Sequence, residues 1–225
     1  MKLKDSIWIL VFLGITSLFI ITPTRLVFVE LTGNFPYFMG FIKTAVLASM
    51  GEMLVKRLQT KRYFSGPSTV YKFIVWGFLG MAFVLVFKLF ASGVIAAQAA
   101  NLLPGLEDAG FGASLLTAFL TSALMNVIFA PTFMILHRIT DNYIDLGEGK
   151  LTLIVKVKLT DAIAKIDWNV FFGFVILFTI PVFWIPAHTI TFLLPEAFRV
   201  LMAAYLSIAL GVILTFTKTL KQKKS

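Results

Sequence analysis

Cysteine is absent from the 225 residues, and only two histidines occur, His137 and His188. The first absence excludes disulfides, thiolate nucleophiles and thiolate metal sites, although it assigns no compartment. The second leaves no paired histidines at helical spacing and no H-E-x-x-H motif. A G-x-S-x-G elbow, a G-x-G-x-x-G turn and a Walker loop are missing too, which argues against a hydrolase or a nucleotide-driven pump. No Arg- and Ser-rich transit peptide is visible. Charge is scarce: charged residues make up 14 % of the chain and hydrophobic ones 59 %, far outside soluble averages. The expectation is a non-enzyme with no catalytic residue, no metal and no cofactor.

What is present is apolar length. Six stretches, near 6–28, 37–55, 73–100, 113–136, 169–188 and 198–217, are long enough to cross a bilayer as helices. They are too continuously apolar for the alternating strands of an outer-membrane barrel. The predicted fold class is all-α, a polytopic transmembrane helix bundle of six spans forming one integral membrane domain, 1–225. The region after Ile21 lacks a small-residue cleavage pattern, so the first stretch reads as an uncleaved span.

Sixteen of the 20 basic residues fall on one side of these spans. They are Lys2 and Lys4; Lys56, Arg57, Lys61, Arg62 and Lys72; Arg138, Lys150, Lys156, Lys158 and Lys165; and Lys218, Lys221, Lys223 and Lys224. The opposite connections carry Glu30, Glu107, Asp108 and Glu196. Basic loops stay inside during insertion, so both termini are expected inside. The membrane expected is the bacterial cytoplasmic one, or a mitochondrial inner or peroxisomal one in a eukaryote. The net charge of +9 is thereby used for topology, and no nucleic-acid partner is expected. The lipid bilayer is the partner implied.

Pro23, Pro36, Pro104, Pro186 and Pro195 lie near span ends, whereas Pro131 and Pro181 lie within spans and are expected to bend them. Small residues in the second, third and fourth spans, among them Ala45, Ala48, Gly77, Gly80, Gly93 and Ala113, predict close helix packing there. In the connection 137–168, Thr160-Asp161 is placed to cap a short helix and Asp161 is spaced to pair with Lys165. Ile163, Ile166 and Trp168 give it an apolar side, so an amphipathic segment over about 151–168 is expected on the inner surface. The stretch 151–159 alternates partly like a strand, and its conformation stays open.

Polar residues inside spans are costly and point to function. Lys88 lies about 22 Å into the third span by helical rise, too deep for easy snorkelling. Lys43 and Glu52 lie toward opposite ends of the second span, and Asn126 is near the middle of the fourth. Arg25 and Arg199 sit near the outer interface, where anchoring explains them, and His188 reads as a hydrogen-bonded interfacial residue. Lys88, Glu52, Asn126, Lys43 and Arg199 are the candidate lining of a solute path, expected to converge on one interior space. Its cationic members would favour anions. Asp141 and Asp145, four apart, read as loop carboxylates.

Several patches also resemble one family. Thr44-Ala45 with Gly51-Glu52 is similar to its T-A…G-[DE] pattern, and Phe87-Lys88-Leu89 to its W-Y-K-x-L. Asn126-Val127-Ile128-Phe129-Ala130-Pro131 resembles D-Q-x-x-F-A-P, and Trp184, His188, Phe192, Pro195 and Arg199 echo W-P…N-F…V-P…R. This is the Mpv-seventeen and 22-kilodalton peroxisomal membrane protein family, and the likeness runs in fragments over about 37–217. The chain departs from it as a prokaryote-like divergent member would: Met125 replaces the acidic residue, Asn126 the glutamine, His188 a glutamine and Thr191 the asparagine. Ile185 separates Trp184 from Pro186, Pro195 follows Phe192 one residue early, and an extra N-terminal span precedes the family's usual four-span pattern. The resemblance implies channel-like behaviour toward small solutes or metabolites. A pore within the bundle, as a single chain or a homo-oligomer, is therefore the first functional expectation. A non-transporting accessory subunit is the alternative, ahead of a membrane-embedded enzyme.

Overall fold

The computed structural model describes residues 3–64, 66–107 and 110–222. Lys2, Asp108, Lys223 and Lys224 of the charge pattern lie outside the described residues, as do the side chains of Lys218 and Lys221. Every regular element among the described residues is helical. Six helices are long and apolar enough to cross a membrane: Leu3–Ile20, Pro36–Thr60, Ser68–Ala99, Phe111–Ile128, Trp168–Leu193 and Glu196–Ile213. The chain is an integral membrane protein.

Prolines set the breaks. The first apolar stretch is not one span to residue 28. Helix α1, Leu3–Ile20, stops at an extended Ile21, and α2, Thr22–Asn34, begins with Pro23 in its first turn. The ring of a proline at 23 would clash with the carbonyl of Phe19 if the helix ran on. Phe28 instead folds α2 back onto α1, its ring 4.8 Å from that of Phe19. Pro36 likewise opens α3, Pro36–Thr60, which ends at a left-handed Lys61 with φ 64°. Helix α4 runs from Ser68 to Ala99.

The expected bend at Pro131 is a break at Phe129 between α5, Phe111–Ile128, and α6, Ala130–Leu146. Helix α6 therefore continues ten residues beyond the expected span end at 136. Two short helices follow, α7, Leu151–Ile154, and α8, Leu159–Ala164, so 151–159 is not a strand. Thr160-Asp161 sits within the first turn of α8 rather than capping it, because Lys158 occupies the cap position. Asp161 meets Lys165 through a backbone hydrogen bond of 3.2 Å and not an ion pair. Of the expected apolar side only Ile166 is buried, Ile163 and Trp168 being half-buried; Ala162, not among them, is fully buried, and Asn142 of α6 donates 2.9 Å to its carbonyl.

Residues Trp168–Leu193 form one continuous crossing made of α9, Trp168–Val170, a π-helical segment, Phe171–Trp184, and α10, Ile185–Leu193. Pro181 lies inside the π-helical segment, whose wider i→i+5 winding takes up the missing N–H. The last helix, α11, spans Glu196–Gln222.

Helix α3 is the centre of the bundle. It runs antiparallel to α4 and parallel to α11, with Gly51 against Ile208 and Gly211 against Val55. The α3–α4 approach is the closest: a Cβ on Gly80 would land on the Thr44 hydroxyl and the Gly40 carbonyl. Thr44 Oγ1 lies 2.8 Å from both the Gly40 and the Trp76 carbonyls, sharing its proton between them. The close packing expected of the small residues holds here, whereas Gly93 faces open space and α5 packs chiefly on α10. Asp5 of α1 meets Arg57 of α3 at 2.7 Å and accepts from the Tyr63 hydroxyl at 2.9 Å. The start of α1 and the far part of α11 thus lie at the same end of the bundle.

Gly80→Val is expected to lower stability by about 1–3 kcal/mol in denaturant unfolding of the detergent-solubilised protein, the cost of overpacking a closed contact. Gly14→Ala, where an added Cβ meets nothing within 4 Å, is expected to leave it unchanged or raised.

Candidate functional site

Two cavities that carry charged side chains in largely apolar walls enter the bundle from opposite ends of the same three helices. The first, of about 620 Å³, opens among the C-terminal half of α3, the start of α4, α6 and the far half of α11. Its wall carries Ser49 and Glu52 from α3, Lys72 and Trp76 from α4, and His137, Asp141 and Asp145 from α6. Those three α6 residues recur every fourth position and so share one helix face.

The charges in this wall are organised around few bonds. Trp76 Nε1 donates to Glu52 Oε1 at 2.8 Å, and the Trp76 ring lies 4.3 Å from that of His137. His137 Nε2 sits 3.7 Å from Glu52 Oε1 and 3.7 Å from Asp141 Oδ2, beyond hydrogen-bond range of both. Lys72 Nζ contacts Asp145 at 3.2 Å and the other oxygen of Asp141 at 3.8 Å. Burial pushes the His137 imidazole below its ordinary value of 6.5, with the Asp141 carboxylate pulling the other way. Four polar atoms of the lining, Ser49 Oγ, His137 Nδ1, Asp141 Oδ1 and Trp184 Nε1, are buried without a hydrogen-bond partner. Such atoms are rare in folded proteins and mark places where water or a ligand belongs.

The second cavity, of about 320 Å³, is lined by Thr32 and Gly33 of α2, Lys43 of α3, Phe87 and Lys88 of α4, and Glu196 and Arg199 of α11. Lys43 is 5 % exposed, and its ammonium is held by neutral oxygens, Thr32 Oγ1 at 3.3 Å and the Ala197 carbonyl at 3.2 Å, over the Phe28 ring. Arg199 donates to the Leu194 and Phe192 carbonyls at 3.0 and 3.1 Å and covers the Phe192 ring.

The five expected path residues therefore do not share one space. Lys43, Lys88 and Arg199 line the second cavity, Glu52 lies in the first, and Asn126 is in neither. Asn126 is fully buried, its amide donating to the Ser122 carbonyl one turn back at 2.8 Å, while Ser122 Oγ reaches the Ile185 carbonyl. Its own hydrogen bonds stay within α5, and it is Ser122 that crosses to the neighbouring helix. Lys88 is also not the deep charge expected. Its ammonium pairs with Glu196 at 2.9 Å, both side chains about 60 % exposed. Because α4 starts at Ser68, Lys88 lies about 30 Å along it, a full hydrocarbon thickness from the start. Arg25 is exposed.

Among the residues of the family-like patches, Trp184 of the first lining, then His188, then Phe87 of the second lining form one aromatic row. Trp184 stacks on His188 at 5.4 Å, His188 meets Phe87 at 5.6 Å, and Phe87 meets Phe192 at 5.3 Å. Phe129 stands at the α5–α6 break, Pro131 in the first turn of α6 and Pro195 in the turn before α11. Comparison with protein-family models, curated proteins and solved structures finds no match. Sequence reasoning missed Ser49, Lys72, Trp76 and His137 as site residues. The signal for the α6 set was the spacing 137, 141, 145.

Lys72 holds two carboxylates in a largely covered wall, whereas Lys150 and Glu148 pair in the open, at 3.2 Å. Lys72→Gln is expected to cost about 1–3 kcal/mol of unfolding free energy, and Lys150→Gln less than about 0.5, measured side by side by denaturant titration.

Proposed function

We propose that the protein carries small polar solutes across its membrane, using the Glu52 cavity and the Lys43 cavity as two half-paths. One observation supports this above others. The two cavities enter the same helices α3, α4 and α11 from opposite ends, and on α3 only Thr44 to Leu47 stand between them. Lys43 and Ala48 are five residues apart, about 7–8 Å of helix. Thr44, Ala45 and Leu47 are almost completely covered, and the stack Trp184–His188–Phe87 fills the other side. Two vestibules separated by one packed turn suit a carrier that opens to one side at a time better than an open channel. The sequence likeness to the Mpv-seventeen group points the same way and is part of this proposal.

With basic loops inside, the Glu52 cavity faces the cytoplasm and the Lys43 cavity faces outward. Lys43 and Arg199 then give the outer mouth a positive field that draws in anionic or anion-bearing solutes. Ser49, His137 and Trp184, with their unpartnered polar atoms, supply hydrogen bonds on the inner side.

The lack of native cysteine makes a direct test available. Single cysteines at Ser49 and at Gly33, where an added Cβ meets nothing within 4 Å, are placed in purified protein in liposomes. An impermeant thiol reagent is expected to label them from opposite faces, and a panel of small polar anions is expected to show saturable uptake that Lys43→Gln weakens. Labelling of both from one face, or no uptake by folded protein for any solute, would replace this reading with a non-transporting accessory subunit.

A further inference from the structure

The geometry points to a binding site for one divalent transition-metal ion formed by Glu52 of α3 with His137 and Asp141 of α6, in the wall of the Glu52 cavity. The inference stands on side-chain geometry and does not need the transport reading. Each residue offers one ligand atom, and the three atoms lie within 4.8 Å of one another. His137 Nε2 is equally far, 3.7 Å, from Glu52 Oε1 and from Asp141 Oδ2. That is too long for a hydrogen bond to either. A cation held at about 2.1 Å from its ligands sets neighbouring ligand atoms about 3.4 Å apart, so the two distances from His137 Nε2 need to shorten by only a few tenths of an ångström. The two carboxylate oxygens, within 4.8 Å of each other, close on the ion by side-chain rotation.

The alternative, an ion pair between His137 and the two carboxylates, fits the distances less well. A protonated imidazole would close onto one oxygen at about 2.7–2.9 Å instead of standing midway. The imidazole Nδ1 is buried without a hydrogen-bond partner, and Asp141 Oδ1 has only the Lys72 ammonium, 3.8 Å away. Nε2 is also without a hydrogen bond, and a cation there gives its lone pair a partner and fixes the proton on Nδ1. Ser49 adds an independent mark: it is 6 % exposed, and its Oγ is unpartnered in the wall of the same cavity.

The neighbours hold the ligands in place. Trp76 N–H fixes Glu52 Oε1, which keeps a second lone pair for the cation. Lys72 lies toward Asp141 Oδ1 and so leaves Oδ2 facing the imidazole. The other charged groups lining this cavity are Lys56, Arg138 and Asp145. Two carboxylates, deprotonated on binding, supply two negative charges for a dication, and a nitrogen ligand beside two oxygens favours Zn²⁺-like ions over Ca²⁺ or Mg²⁺, with Mn²⁺ a usable spectroscopic stand-in. Three protein ligands leave at least one coordination position to water or solute from the cavity.

The test uses the full chain, stripped with chelator and held in lipid nanodiscs. Titration with Zn²⁺ alone, followed by calorimetry, is expected to show one ion per chain. Glu52→Gln keeps an oxygen to accept from Trp76, and His137→Gln keeps comparable bulk, so both are expected to fold by size exclusion and melting. Each is expected to weaken Zn²⁺ by at least about tenfold, while Glu148→Gln on the surface leaves it unchanged. Bound Mn²⁺ is expected to show nitrogen coupling in pulsed EPR that His137→Gln removes. No saturable Zn²⁺ binding, equal affinity in the folded Glu52→Gln and His137→Gln proteins, or Mn²⁺ without nitrogen coupling would overturn the site. Thiol labelling from the two faces is read separately, so either conclusion can fail without the other.

Discussion

The approach of α3 to α4 at Gly40, Thr44 and Gly80 is the contact on which the rest of the structure depends. Two backbones come near enough for Thr44 to reach the Trp76 carbonyl across the interface. Only glycine at 80 allows it, since any Cβ there would occupy the place of the Thr44 hydroxyl. In lipid there is no hydrophobic drive to bring helices together, so close backbone packing and interhelical hydrogen bonds must do it. Once the register is set, Trp76 falls opposite Glu52, two turns along α3 from Thr44. The charged wall is then built on a carboxylate that has already been given a fixed direction.

The two ends of the bundle treat charge differently. At one end, acids and bases from α3, α4 and α6 are gathered in a half-covered wall where several polar atoms have no partner. At the other, Lys88 and Glu196 pair in the open, while Lys43 is covered and rests on neutral oxygens and an aromatic ring. An ammonium held this way keeps its charge uncancelled. Its field therefore extends into the cavity instead of ending at a neighbouring carboxylate.

Much of the fold was legible from apolar length and from proline. Six crossings are visible as runs, and Pro36, Pro131 and Pro186 mark helix starts. Pro23 was readable in the same way, but the apolar residues on both sides of it masked the break between α1 and α2. The site was less legible, for a definite reason. Ending the fourth span at 136 turned Asp141 and Asp145 into loop residues, although His137, Asp141 and Asp145 are spaced for one face of a helix that runs to Leu146. Lys88 misled in the opposite direction, because its depth was counted from residue 73 when α4 begins five residues earlier. Glu52 was found because a carboxylate in an apolar run is conspicuous. Its partner Trp76 looks like any other aromatic until the interface is known. Asn126 shows that the amide nitrogen of a buried polar residue in a membrane helix can be taken up by its own preceding turn.

The break at Phe129 has a mechanical consequence. It separates α6 from α5, so any tilt of α6 against α5 would have its fulcrum at residues 129–131. His137 stands eight residues beyond the break, about 12 Å, so a tilt of about 10° displaces it by about 2 Å. His137, Arg138, Asp141 and Asp145 ride on α6 together, whereas Glu52 and Trp76 are anchored by the glycine contact of α3 and α4. A rotation of that size would change the separation of the two halves of the charged wall without unwinding any helix.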